Sequence, residues 1–189
     1  MNESSTKLNT RMKLKMYAVL ICIAVTVSAG YAQQNVIKIN ILAPIVKTFN
    51  IQYERALNDN SSLQLGFFYT GYSSGDSKFS GFGITPEYRF YLSETAAPQG
   101  VYVAPFLRYQ SFTIEDDVAD AKADFTAFGG GLILGKQWIF KEKVALDIFL
   151  GPAYYSGNVD VESGDEDDLE TGAFDGFGLR AGVCFGFRF

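Results

Sequence analysis

The chain has 189 residues, 48% of them hydrophobic, with 16 basic and 21 acidic side chains and no histidine. The length suits one domain, and the acid excess excludes a nucleic-acid surface, which needs clustered cations. The absence of histidine removes the usual general base of Ser-His and Asp-His hydrolytic sites.

The N-terminus reads as an export signal. Lys7, Arg11, Lys13 and Lys15 form a basic start, residues 16–27 a short apolar core, and Ser28-Ala29-Gly30-Tyr31-Ala32 a run of small residues. Cleavage after Ala32 is expected, leaving residues 33–189 as the mature protein. The core is shorter than the roughly 20 residues that a membrane-spanning helix needs. Ile21 is too large to precede a lipoprotein cysteine at Cys22. Removing residues 1–32 leaves 12 basic and 20 acidic residues, a net charge of −8. Only Cys184 then remains, so no internal disulfide can form.

The mature chain repeats an apolar–polar alternation of period two, which marks strands. Eight segments carry it: 36–42, 48–57, 62–72, 81–92, 101–112, 125–138, 144–155 and 174–189. The last is the clearest. Phe177, Leu179, Ala181, Val183, Phe185, Phe187 and Phe189 share one face, and Gly178, Arg180, Gly182, Gly186 and Arg188 the other. Most segments are long enough for a tilted strand across a bilayer, which takes about 9–11 residues. The expectation is therefore an all-β fold, an eight-stranded antiparallel up-and-down transmembrane β-barrel, because closure satisfies every backbone group where no water can.

Connections after even strands are short, and those spanning 113–124 and 156–175 are long and acidic, as periplasmic turns and outer loops differ in such barrels. Pro86, Pro105 and Pro152 fall inside strands, where the missing N–H donor is expected to produce local bulges, a shifted boundary being the alternative.

Two orientations fit the alternation. In a soluble barrel the apolar face points inward; in a membrane barrel it faces lipid. The opposite face carries Gly and Ala together with Lys38, Glu54, Glu87, Arg89, Arg108, Asp147, Arg180 and Arg188. Charges of both signs can pair inside a lumen, so the membrane orientation is preferred. Tyr72, Tyr91, Tyr109, Trp138, Phe140, Tyr154 and Phe189 lie near strand ends and are expected to form interfacial girdles.

The ending through Phe185, Phe187 and Phe189 resembles the C-terminal signal that the barrel-assembly machinery reads. The stretches FNIQYERAL at 49–57, GFGITPEYRFYLS at 81–93 and YVAPFLRY at 102–109 resemble a domain-of-unknown-function family of small outer-membrane barrels. The likeness extends to the OmpX and OmpA barrel domains in architecture. It implies an outer-membrane location and carries no catalytic motif.

Glu54, Glu87 and Asp147 would be the acids of a carboxylate-only mechanism, but ion pairing in the lumen is the preferred reading. The acidic run 160–170 lacks the spacing of a calcium loop and reads as solvated surface. Cys184 faces the lumen by parity and, with no histidine beside it, reads as a small filler. No metal or cofactor is expected. The sequence reads as a monomeric, non-enzymatic outer-membrane barrel with a structural or surface-interaction role, in contact with lipid and lipopolysaccharide. A narrow solute channel is the alternative, and a soluble lipocalin-like carrier of an apolar ligand the more distant one.

Overall fold

The computed structural model describes residues 35–75, 77–116, 121–163 and 176–189, so the export segment 1–32 lies outside the described residues. Eight strands follow in order: β1 Asn35–Asn40, β2 Thr48–Asn58, β3 Ser61–Ser74, β4 Ser77–Tyr91, β5 Gly100–Asp116, β6 Ala121–Phe140, β7 Val144–Ser163 and β8 Gly176–Arg188. Each pairs antiparallel with its neighbour, and β1 pairs with β8 to close the barrel. The seam is sealed to its end, where the Asn35 and Phe189 backbones exchange hydrogen bonds of 2.8 and 3.1 Å. A 3-10 turn, Ala43–Val46, joins β1 to β2.

All the alternating segments form strands, and the expected eight-stranded antiparallel fold is the one observed. The differences lie at one end. β5 runs to 17 residues and β6 and β7 to 20 each, so much of what reads as long loops at 113–124 and 156–175 continues the ladder. There Thr113 Oγ1 donates to Asp124 Oδ1 across the β5–β6 pair at 2.7 Å. Acidic side chains do not interrupt a strand when they project into water and the backbone groups stay paired. The β3–β4 connection is likewise a tight hairpin closing at Ser74 and Ser77, with Gly75 at φ 60. Of the acidic run, residues 164–170 lie outside the described residues. These hairpins define the loop end of the barrel. The β2–β3, β4–β5 and β6–β7 turns define the opposite, turn end.

The prolines cause no bulge. Around Pro86 the β4–β5 register holds from Ile84↔Tyr109 to Glu87↔Phe106, while the two pairs between them lapse. Pro105 stays opposite Leu132 on β6, and Pro152 opposite Leu179 on β8, without a shift. Proline's fixed φ is compatible with extended backbone, so the chain loses a donor but not its path. Register shifts occur instead at Ala56/Asn58 and Lys122/Ala123.

The alternation sorts the side chains as a membrane barrel would. Ile37, Ile39, Phe49, Leu65, Phe67, Ile84, Leu107, Leu132, Leu134, Leu150 and Phe187 all project outward and are exposed. The inward face is polar and aromatic. Its aromatics were not anticipated, and several are seated against a glycine on the adjacent strand. Phe68 pairs with Gly83, Phe112 with Gly81, Tyr102 with Gly135, Phe106 with Gly131 and Phe149 with Gly182. A Cβ at Gly83 or Gly135 would overlap the ring opposite it. The inward glycines therefore make room for rings that fill a narrow lumen, rather than leaving it empty.

Candidate functional site

The middle of the lumen holds a dense ion network. Lys38 on β1 donates from Nζ to Glu54 Oε2 at 2.6 Å and to Asp147 Oδ2 at 2.9 Å. Arg89 on β4 reaches Asp147 Oδ2 at 2.8 Å, Glu87 Oε2 at 3.1 Å and Glu54 Oε2 at 3.3 Å. Arg180 on β8 donates through Nη2 to Glu87 Oε1. Glu54, Glu87, Asp147, Lys38 and Arg89 have fully buried side chains. Three carboxylates thus face three cations in contact, a balance that buried charge requires.

Neutral groups complete the network. Tyr91 Oη and Ser62 Oγ donate to Glu54 Oε1, and Tyr102 Oη donates to Asp147 Oδ1 at 2.8 Å. Gln137 accepts from Lys38 and donates to the Pro98 carbonyl. The Arg89 guanidinium lies 4.2 Å from the Tyr102 ring centroid. The strand pattern places all of these: even-numbered inward positions on β1, β2 and β5 meet odd ones on β4, β6 and β7 at one height in the barrel.

The structure thus brings together six of the eight inward charges read from the sequence: Lys38, Glu54, Glu87, Arg89, Asp147 and Arg180. Arg108 stands nearer the loop end, where its Nε donates to Thr85 Oγ1 at 3.0 Å and its guanidinium lies 5.3 Å from the Phe68 ring. Arg188 is half-buried at the turn end, beside Val36. Tyr91 is a correction. Expected in the interfacial girdle, it is 3% exposed and inside the lumen, because it shares the parity of Glu87 and Arg89. Tyr102 and Gln137 were missed, although the same parity rule points them inward. Tyr72, Tyr109, Phe140, Tyr154 and Phe189 are exposed, and Trp138 is half-buried. Phe185 and Phe187 project outward and meet edge to face at 5.9 Å.

Cys184 is buried, and its Sγ accepts a hydrogen bond from Gln52 Nε2 at 3.3 Å. Each carboxylate of the network has a cationic partner.

Toward the loop end the lumen opens into a cavity of about 530 Å³. Phe68, Phe79, Phe112, Phe149, Arg108 and Arg180 are among the residues that line it. Asn40, Asn50, Gln52, Thr70 and Gln110 add polar wall. The ion network lies on the turn-end side of this space, next to Arg180 and Gln52.

Solved structures similar to this chain include the N-terminal β-barrel domain of Pseudomonas aeruginosa OprF, at 17% identity and a TM-score of 0.43, covering 84% of this chain and 100% of that one. A major outer membrane protein from Thermus thermophilus shares 16% identity at a TM-score of 0.48, covering 82% and 99%. Ail, the attachment invasion locus protein of Yersinia pestis, shares 14% identity at 0.45, covering 84% and 100%. No curated protein matches the sequence as a relative. A family model matches residues 17–162, and the chain therefore belongs to the family described as protein of unknown function DUF3575.

Proposed function

We propose that the mature chain is a monomeric outer-membrane β-barrel that serves a structural or surface-interaction role rather than a catalytic or conducting one. The observation that carries this reading is the inversion of its polarity. A closed barrel shows a continuous apolar face outward and buries its charges inward, an arrangement that water would penalise and lipid would reward. The exposed Tyr72, Tyr109 and Tyr154 would lie at the bilayer interfaces, where amphipathic rings are favoured.

The same geometry disfavours a channel. A file of water or ions would have to pass Lys38, Arg89, Glu54 and Asp147, whose side chains are bonded to one another across the lumen. It also disfavours a soluble carrier of an apolar ligand, which would need the Leu and Phe face turned inward. The barrel-assembly machinery would read the strand ending in Phe185, Phe187 and Phe189, and lipopolysaccharide would contact the loop end.

Fractionation tests the location. The mature protein is expected in the outer membrane, with a gel mobility that changes on heating as the barrel unfolds. Recovery from the soluble periplasm would overturn the reading. In a planar bilayer the refolded protein is expected to give no stable single-channel current, and steady currents would favour the channel.

A further inference from the structure

We propose that the loop-end cavity is a binding site for a small organic monoanion, a carboxylate carried on a flat apolar body. Three independent features of the cavity point to that chemistry.

The first is charge. In the network, Glu54, Glu87 and Asp147 are matched by Lys38, Arg89 and Arg180. Arg108 is a fourth inward cation on the cavity side, and among the described residues no carboxylate lies within ion-pair distance of it. Its side-chain hydrogen bond goes to the neutral hydroxyl of Thr85. The wall therefore carries one positive charge more than its acids neutralise, and one anionic charge would balance it.

The second is unmet hydrogen bonding. Arg180 is 7% exposed and lines the cavity, yet only its Nη2 is engaged; Nη1 is buried without a partner. An unpaired buried donor such as Arg180 Nη1 is uncommon. A carboxylate has two acceptor oxygens, enough for both the Arg108 and the Arg180 guanidiniums, and planar guanidinium suits that geometry better than an ammonium does.

The third is shape. About 530 Å³ falls in the range of small-molecule sites, and the rings of Phe68, Phe112 and Phe149 offer apolar walls beside the two cations. An inorganic ion would leave those walls unfilled, whereas an aromatic acid would cover them. Phe149 and Phe106 also hold the Arg180 guanidinium in place, at 4.8 and 4.6 Å from their centroids. The cationic wall is thus already oriented before a ligand arrives.

The cavity lies within the barrel, so binding there does not depend on the membrane location. The test uses the mature chain refolded in a nonionic detergent, with a micelle-only blank, and 1-naphthoate as the probe in titration calorimetry. Saturable one-to-one binding of 1-naphthoate is expected, with the uncharged 1-naphthalenemethanol at least tenfold weaker. Arg108→Gln, checked by its heat-dependent gel shift, is expected to bind 1-naphthoate at least tenfold more weakly than wild type. Asn50→Trp narrows the same space while leaving both guanidiniums intact, and it too is expected to lose at least tenfold. No saturable binding to the wild type would overturn the site. So would equal binding of the alcohol, or unchanged affinity in a folded R108Q or N50W protein.

Discussion

Asp147 ties together strands from around the whole barrel. From β7 it accepts hydrogen bonds from Lys38 on β1, Arg89 on β4 and Tyr102 on β5, so one carboxylate crosslinks four strands through the lumen. Removing it would leave Lys38 and Arg89 sharing the remaining acids in a space closed to water. Breaking a buried pair in this way costs about 3–5 kcal/mol. Asp147→Ala is therefore expected to be destabilised by about that amount in urea titrations of the refolded barrel, followed by the gel shift. A loss below about 1 kcal/mol would mean that water or other acids reach the freed cations. At this scale the sequence was legible by parity alone. Residues 38, 54, 87, 89, 147 and 180 all fall on inward positions of alternating strands. Their mutual distances were not legible, because they depend on how far each strand is slid against the next. Tyr91 shows the same limit: its nearness to a strand end pointed to the membrane interface, while its odd number on β4 placed it with Glu87 and Arg89.

The strands themselves show how an irregular composition is absorbed by a regular ladder. Pro86, Pro105 and Pro152 point outward, and the hydrogen bonds they cannot make lapse without moving the register. Inward glycines such as Gly81, Gly83, Gly131, Gly135 and Gly182 work in the opposite sense, since each is the partner that an aromatic ring needs. Gly83→Val is expected to force Phe68 out of its seat and to cost about 1–3 kcal/mol, the usual range for overpacking. The same change made in a Phe68→Ala background is expected to cost markedly less, because the ring that clashes is gone. Equal costs in the two backgrounds would show that Gly83 is needed for its backbone rather than for its space. Composition revealed the glycines but not their pairing, which is set by the cross-strand register: Phe68 and Gly83 are 15 positions apart and directly opposite.

For the molecule as a whole, the decisive property is which face meets the surroundings. Leu107 is half exposed on the outer wall of β5, while Ile45 is exposed in the turn between β1 and β2. If the outer wall lies in lipid, Leu107→Arg places a charge within the hydrocarbon layer, and barrel proteins lose about 2–4 kcal/mol for such a change near the bilayer midplane. Ile45→Arg is expected to cost close to nothing. Unfolding both variants by urea from lipid vesicles would show the difference, and equal stabilities would count against the membrane orientation. The length of β5, β6 and β7 bears on the same point. At about 3.3 Å per residue they are longer than a tilted crossing needs, so their ends carry the ladder past the loop end of the neighbouring strands.

The amino-acid order by itself determined the number of strands, their antiparallel sequence-order pairing and the sorting of side chains between two faces, because a period of two is a local property that survives without knowledge of partners. It also determined which charges share the lumen. Only the tertiary structure decided where the ladder stops, that the prolines pass without bulges, that glycines seat rings across the strands, and that Arg108 stands apart from the acids beside an open cavity. Those features depend on register and closure, which bring residues more than a hundred positions apart, such as Lys38 and Asp147, within 2.9 Å. No local pattern contains that sliding distance; it is set by closing all eight strands into one barrel.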